Sequence, residues 1–170
     1  MTKYNNDQEY LSIIDKIINN DKFKEMNTIK HHNTTRLNHM LKVSYYSYKI
    51  AKTLKLDYED VAIGGLLHDF YMDKISECDS VKDKIKLFSI KHPKDAVNNA
   101  KQFFDLSEKE INIIETHMFP IDYKLPKYAE SWVVNLVDKV LSIGEVSSKF
   151  SYKFTYIFNL YLLFLFNNLK

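Results

Sequence analysis

Val61-Ala62-Ile63-Gly64-Gly65-Leu66-Leu67-His68-Asp69 is the stretch that decides how this chain folds. Seven apolar or glycine residues run without a polar break and stop on an imidazole and a carboxylate. A helix that is apolar all round belongs in the interior of a helical protein. Asp57, just ahead of it, is a good N-cap, so a helix is expected over 58–68. An ionised Asp at the end of a buried helix is costly unless it is paired or metal-bound. The same nine residues therefore point to a fold centre and to a chemical centre.

Working outward, the rest of the chain also reads as helices. Tyr10, Ile13, Ile14, Ile17 and Ile18 recur at helical spacing over 7–19. Residues 22–35 are less periodic and read as holding a loop, with Thr35 as a cap for a long amphipathic helix over 36–55. Residues 70–80 read as irregular and 81–90 as a short helix. Pro93 is expected at the first position of a separate helix running to 104, because proline loses no hydrogen bond there. Ser107 and Glu110 form a capping box for the helix that ends near His117. Pro120 and Pro126 mark a loop, and Trp132, Val133, Leu136, Val137, Val140 and Leu141 lie on a helix over 129–148. Gly and Pro number three each, too few for a turn-rich β architecture. No stretch alternates with period two, so no sheet is expected. The reading is an all-α helical bundle, 1–170 as one domain, closed by an aromatic C-terminal helix over 151–168.

Charge and composition narrow the function classes. With 24 basic and 22 acidic residues the net charge is +2, and no basic stripe argues for nucleic acid. Lys82, Lys84 and Lys86 read as a solvated face. The single cysteine, Cys78, cannot build a disulfide framework and has no partner that would make it a nucleophile, so a reducing, cytoplasmic setting is expected. The polar N-terminus shows no signal-peptide core. The apolar run from Phe154 to Phe166 falls short of the ~20 residues that span a bilayer. It reads as packing on the core or at a homodimer interface, with peripheral membrane attachment as the minor reading.

Six histidines occur, at 31, 32, 39, 68, 92 and 117. His39 falls inside a long helix, His92 at a helix start, and His68 and His117 at helix ends. Imidazole and carboxylate are both donors for divalent transition metals. A His-Asp pair alone is weak evidence; following a buried helix it is stronger. Asp138 is the second unusual carboxylate, set among Val133, Val134, Leu136, Val137, Val140 and Leu141. Its neighbours allow a buried ligand or a surface carboxylate beside Lys139.

The order His39, then Leu66-Leu67-His68-Asp69, then Asp138 resembles the HD superfamily of metal-dependent phosphohydrolases. Thr35-Arg36-Leu37-Asn38-His39-Met40-Leu41-Lys42-Val43 looks like that family's first motif, with an Arg three residues before the first ligand His. The resemblance covers about residues 31–145. His92 and His117, between the His-Asp pair and Asp138, make the order similar to bacterial two-metal HD enzymes that cleave diadenosine tetraphosphate. It also resembles the HD-GYP phosphodiesterases, but their paired His stands where this chain has His117-Met118, and their long signature is absent.

The resemblance implies an HD-domain bundle with two divalent transition metals, iron, manganese or similar. His39, His68, Asp69 and Asp138 would hold one, and His92 and His117 the other, with Asp69 bridging. It implies hydrolysis of a nucleotide or other small phosphoester by a metal-activated water. Arg36 would contact phosphate, and Lys74 would be the basic residue that relatives carry after the His-Asp motif, in a shifted register; His32, four residues before Arg36, could reach the same cleft to touch substrate or support a ligand. Two other classes remain open: a nucleotide-binding sensor with little turnover, and a di-iron oxygenase on the same ligands. Tyr71, Met72, Phe119, Tyr123 and Trp132 fall near the site in sequence, although ordinary packing accounts for each.

Overall fold

Ten residues, Tyr58–Leu67, form the central helix of a computed structural model that describes residues 3–31, 34–71 and 81–146. In chain order the elements are α1 (Gln8–Ile18), α2 (Asp21–Lys24), β1 (Lys30–His31), β2 (Thr34–Thr35), α3 (Arg36–Leu54), α4 (Tyr58–Leu67), α5 (Val81–Ala100), α6 (Glu108–Thr116) and α7 (Ala129–Val146). The fold is all-α. Helix α4 packs against α1, α3, α5, α6 and α7. Val61, Ala62, Gly64, Gly65, Leu66 and Leu67 are all buried, so this helix has almost no solvent face. Burial of a leucine side chain stabilises by about 2 kcal/mol, and Leu66 and Leu67 are both fully buried.

The two glycines set how closely the neighbours approach. A Cβ on Gly65 would lie 3.1 Å from the Cα of Ser44 in α3, and one on Gly64 only 2.8 Å from Cγ2 of Ile113 in α6. Two buried hydroxyls link the helices here. The Tyr10 hydroxyl donates to Ser44 Oγ at 2.9 Å, and Ser44 Oγ donates to the Ala62 carbonyl at 2.6 Å, tying α1, α3 and α4 together.

Capping side chains fix where the helices begin. Thr35 accepts from the Asn38 amide, Asp57 from the Asp60 amide, and Ser107 with Glu110 forms a complete capping box, all as the sequence predicts. Ser107 Oγ donates to Asp60 Oδ1 at 3.1 Å, while the rings of His68 and His117 lie 5.0 Å apart. Helices α4 and α6 are therefore parallel, with their N-termini at one end and both histidines at the other.

Three expectations are corrected. The short helix over 81–90 and the separate helix starting at Pro93 are one helix, Val81–Ala100, with Pro93 inside it. Proline marks a start only where no helical turn precedes it; here it removes one amide from a helix already formed, and His92 is an interior residue. The segment 22–35 is more ordered than a loop: it holds α2, a 3-10 turn over Glu25–Thr28, and a minimal antiparallel ladder pairing Lys30 with Thr35 and His31 with Thr34. That two-residue ladder, too short for any period-two pattern, is also the exception to the expected absence of a sheet. Expectations about His32, Met72, Lys74, Cys78 and the C-terminal aromatic segment fall outside the described residues.

Candidate metal centre

Each histidine reaches the site from a different place in the bundle. His39 projects from the first turns of α3, His68 caps the end of α4, His92 lies within α5, and His117 caps the end of α6. Asp69 follows His68 directly, and Asp138 comes from the middle of α7. All six are buried. The burial of Asp138 sets aside the surface-carboxylate reading.

The donors fall into two groups that share one carboxylate. His39, His68 and Asp69 each offer a ligand atom within 4.8 Å of the others, and so do Asp69, His92 and His117. His39 Nε2 lies 3.0 Å from Asp138 Oδ1, which also lies 3.6 Å from His68 Nε2. On the other side, His92 and His117 each place Nε2 3.6 Å from Asp69 Oδ1, while Asp69 Oδ2 lies 3.8 Å from His68 Nε2. One oxygen of Asp69 therefore faces each group, the arrangement a bridging carboxylate needs.

Ring orientation is set by the helices themselves. His68 donates through Nδ1 to the Gly65 carbonyl at 2.8 Å, and His117 donates through Nδ1 to the Ile114 carbonyl at 2.8 Å. Both helices end in the same device: a capping histidine uses one nitrogen on a carbonyl three residues back. The other nitrogen, Nε2, is then left as a lone pair aimed into the site, the form in which imidazole binds a metal. His68 Nε2 is fully buried and makes no hydrogen bond among the described residues. A buried polar atom without a partner is costly. A metal ion would satisfy it, so the residues fit the group their chemistry implies.

Electrostatics agree. Burial by itself pushes Asp69 upward most strongly, but the attraction of His68, His92 and His117 outweighs it and holds the carboxyl well below the usual range. At Asp138 burial is again the largest influence, and the hydrogen bond with His39 together with the nearby His68 imidazole more than reverses it. Burial, with His92 and His68 nearby, drives His117 down to about 3. It is a neutral imidazole at physiological pH, as ligation requires. Burial lowers His68, yet Asp69 and Asp138 raise it overall. Carboxylates that favour a proton at Nε2 favour a cation there too.

Arg36 is buried and held by Tyr71. Its Nη1 donates to the Tyr71 carbonyl at 2.6 Å, its Nη2 to the Tyr71 hydroxyl at 3.1 Å, and its guanidinium carbon sits 4.0 Å from the centre of the ring. The Tyr71 ring in turn lies 5.1 Å from that of His92. Of the other aromatics, Phe119 and Trp132 pack on each other edge to face, and Tyr123 is exposed. Two polar residues next to the site were not picked out from the sequence. Asn135 donates to three carbonyls around His117, and Lys139 donates to the His117 carbonyl. A lone Asn three residues before Asp138 in an otherwise apolar run was the available signal.

This all-helical bundle collects four imidazoles and two carboxylates from five helix segments, a donor set of the His/Asp type that could hold a metal ion. The family model described as "HD domain" matches residues 36–143, and the chain belongs to that family, whose members are mostly metal-dependent hydrolases. No curated protein matches the chain, and no solved structure does. No helix among the described residues is long and apolar enough to cross a membrane.

Proposed function

We propose that this chain is a metal-dependent phosphohydrolase acting on a nucleotide or another small phosphoester, with room for two divalent transition metals such as iron or manganese. The observation that carries this reading is the pair of buried donor groups sharing Asp69. A divalent metal held there makes water acidic enough to act as a nucleophile near neutral pH and neutralises charge on phosphoryl oxygens. The chain's own residues supply the rest. His68 and His117, each fixed through Nδ1, present Nε2 to the site, and Asp69 and Asp138 supply the negative charge that would retain a cation.

Arg36 is proposed as the phosphate contact, with Tyr71 fixing the plane of its guanidinium for bidentate binding. Lys74 and His32 remain candidates for the substrate side of the same site. The further proposals are a single domain over the whole chain, a cytoplasmic setting, no nucleic-acid partner, and homodimerisation through the C-terminal segment.

The test begins with metal analysis of the purified protein. A screen of phosphomonoesters, nucleotides and dinucleoside polyphosphates with several divalent metals follows. Asp69→Ala should lose bound metal and hydrolysis together. An Asp69→Ala protein with full metal and full turnover would refute the assignment. Oxygen consumption with a non-phosphorylated substrate, or nucleotide retention without product, would replace the reading by one of its two competitors.

A further inference from the structure

Helix α6 ends at Thr116, and its last carbonyls would ordinarily turn to solvent or to a local cap. Here the Thr116 carbonyl keeps a local bond from the Phe119 amide, and another helix adds donors to it and to the His117 carbonyl. Asn135 of α7 donates through one amide nitrogen to the carbonyls of Thr116 at 3.2 Å, His117 at 2.7 Å and Phe119 at 2.8 Å. An amide has two hydrogens, so three acceptors at these distances share them. Lys139, one turn further along α7, donates to the same His117 carbonyl at 2.9 Å. A cation at a helix C-terminus is also favoured by the helix dipole. The carbonyl of His117 is thus gripped twice from α7, while its ring is fixed by the Ile114 carbonyl and its Nε2 stands 2.9 Å from His92 Nε2.

Asn135 is buried, and Asp138 lies three residues after it, on the same side of α7. One helix therefore carries a donor of the first ligand group and the clamp on a donor of the second. We infer that Asn135, assisted by Lys139, is a positioning residue that places His117 Nε2 for the second metal and ties its position to α7. The proposal rests on the two-metal reading. It adds that affinity at the His92–His117 group is set from α7, not by α6 alone. Lost supporting contacts of this kind weaken metal binding by about 10-fold or more.

The test is manganese(II) titration of the full-length protein, followed by calorimetry and by electron paramagnetic resonance, which distinguishes an isolated ion from a coupled pair. Wild type, Asn135→Ala, Lys139→Met and His117→Ala are compared, with thermal unfolding of the metal-free proteins as a folding control. The expected result is two ions in wild type. Asn135→Ala should keep the first affinity, weaken the second by about 10-fold, and lose the coupled-pair spectrum at limiting metal. Lys139→Met should change in the same direction by less. If Asn135→Ala melts earlier but binds both ions as wild type does, Asn135 is structural only and the proposal is overturned. If Asn135→Ala does not fold, Lys139→Met decides: unchanged second-ion affinity overturns it. If wild type binds one ion and His117→Ala binds it equally well, the two-metal reading itself falls, a distinct outcome.

Discussion

The two ends of the α4–α6–α7 bundle both bury carboxylates, and they neutralise them differently. At the end where these helices begin, Asp57, Glu110 and Glu130 have N–H or ammonium partners. Asp57 accepts from the Asp60 amide, Glu110 from the Ser107 amide at 2.7 Å, and Glu130 Oε1 from the Asp57 amide at 3.2 Å. Lys109 Nζ closes the cluster, 3.1 Å from Glu130 Oε1 and 3.2 Å from Asp57 Oδ2. Helix N-termini favour negative charge, so this end serves stability. At the other end Asp69 and Asp138 face imidazoles, and His68 Nε2 has no hydrogen-bond partner among the described residues. The difference teaches how to tell structural acids from ligand acids. Structural acids have their lone pairs used by backbone donors and lysine, whereas the candidate ligand acids converge with imidazole nitrogens.

That contrast predicts a separation of effects, and the largest belongs to the metal end. Wild-type protein should melt at a higher temperature when manganese(II) is added, since a ligand that binds only the folded state stabilises it. In Asp69→Ala that metal-induced rise should vanish while helical circular dichroism persists. A rise that survives would break the contrast by showing that Asp69 is not needed to hold a cation.

Next comes the packing between the ends. Gly64→Ala would place a methyl against Ile113. Overpacking of this kind costs about 1–3 kcal/mol, readable in chemical denaturation. An unchanged midpoint would show that Ile113 can shift out of the way.

Ser107→Ala attacks the capped end alone. It removes the capping-box acceptor and the hydroxyl bonded to Asp60. A loss of about 1 kcal/mol in stability is expected, with metal stoichiometry unchanged. Altered metal content in this variant would mean the two ends are not independent.

The smallest effect is a pH slope. Burial, the dominant cause, together with Asp60 and Asp57, raises Glu110 to about 7 from an ordinary 4.5, although its bond from the Ser107 amide works the other way. A raised acid binds its proton more readily in the folded state. Its stabilising contribution is therefore full below about pH 4.5 and is lost as the pH rises through about 7. Glu110→Gln keeps an acceptor for the Ser107 amide but cannot ionise. The stability of wild type minus that of the variant should fall across this window. A flat difference would show that Glu110 titrates normally in the fold.

Much of this was legible before any coordinates. The uninterrupted apolar run at 61–67 placed α4 at the centre because no other position buries every side of a helix. The caps Thr35, Asp57 and Ser107 were readable because capping is local: the side chain bonds an amide two or three residues on. Pro93 misled for the same reason in reverse, since a local rule cannot see the helical turns before it. The six ligand candidates were read from their order and from family resemblance. Spacing in the chain shows which residue types are available, not which atoms meet.

Residue order by itself determined a helical bundle, its central helix, and the set of imidazoles and carboxylates. Only the tertiary structure decided that Asp69 turns one oxygen to each donor group, that Tyr71 holds Arg36, and that Asn135 grips the end of α6. The contacts that hold Arg36 and the end of α6 join residues between 16 and 35 positions apart in the chain. No local propensity encodes them; they exist only once α3, α4, α6 and α7 have packed and brought the ends of the helices together.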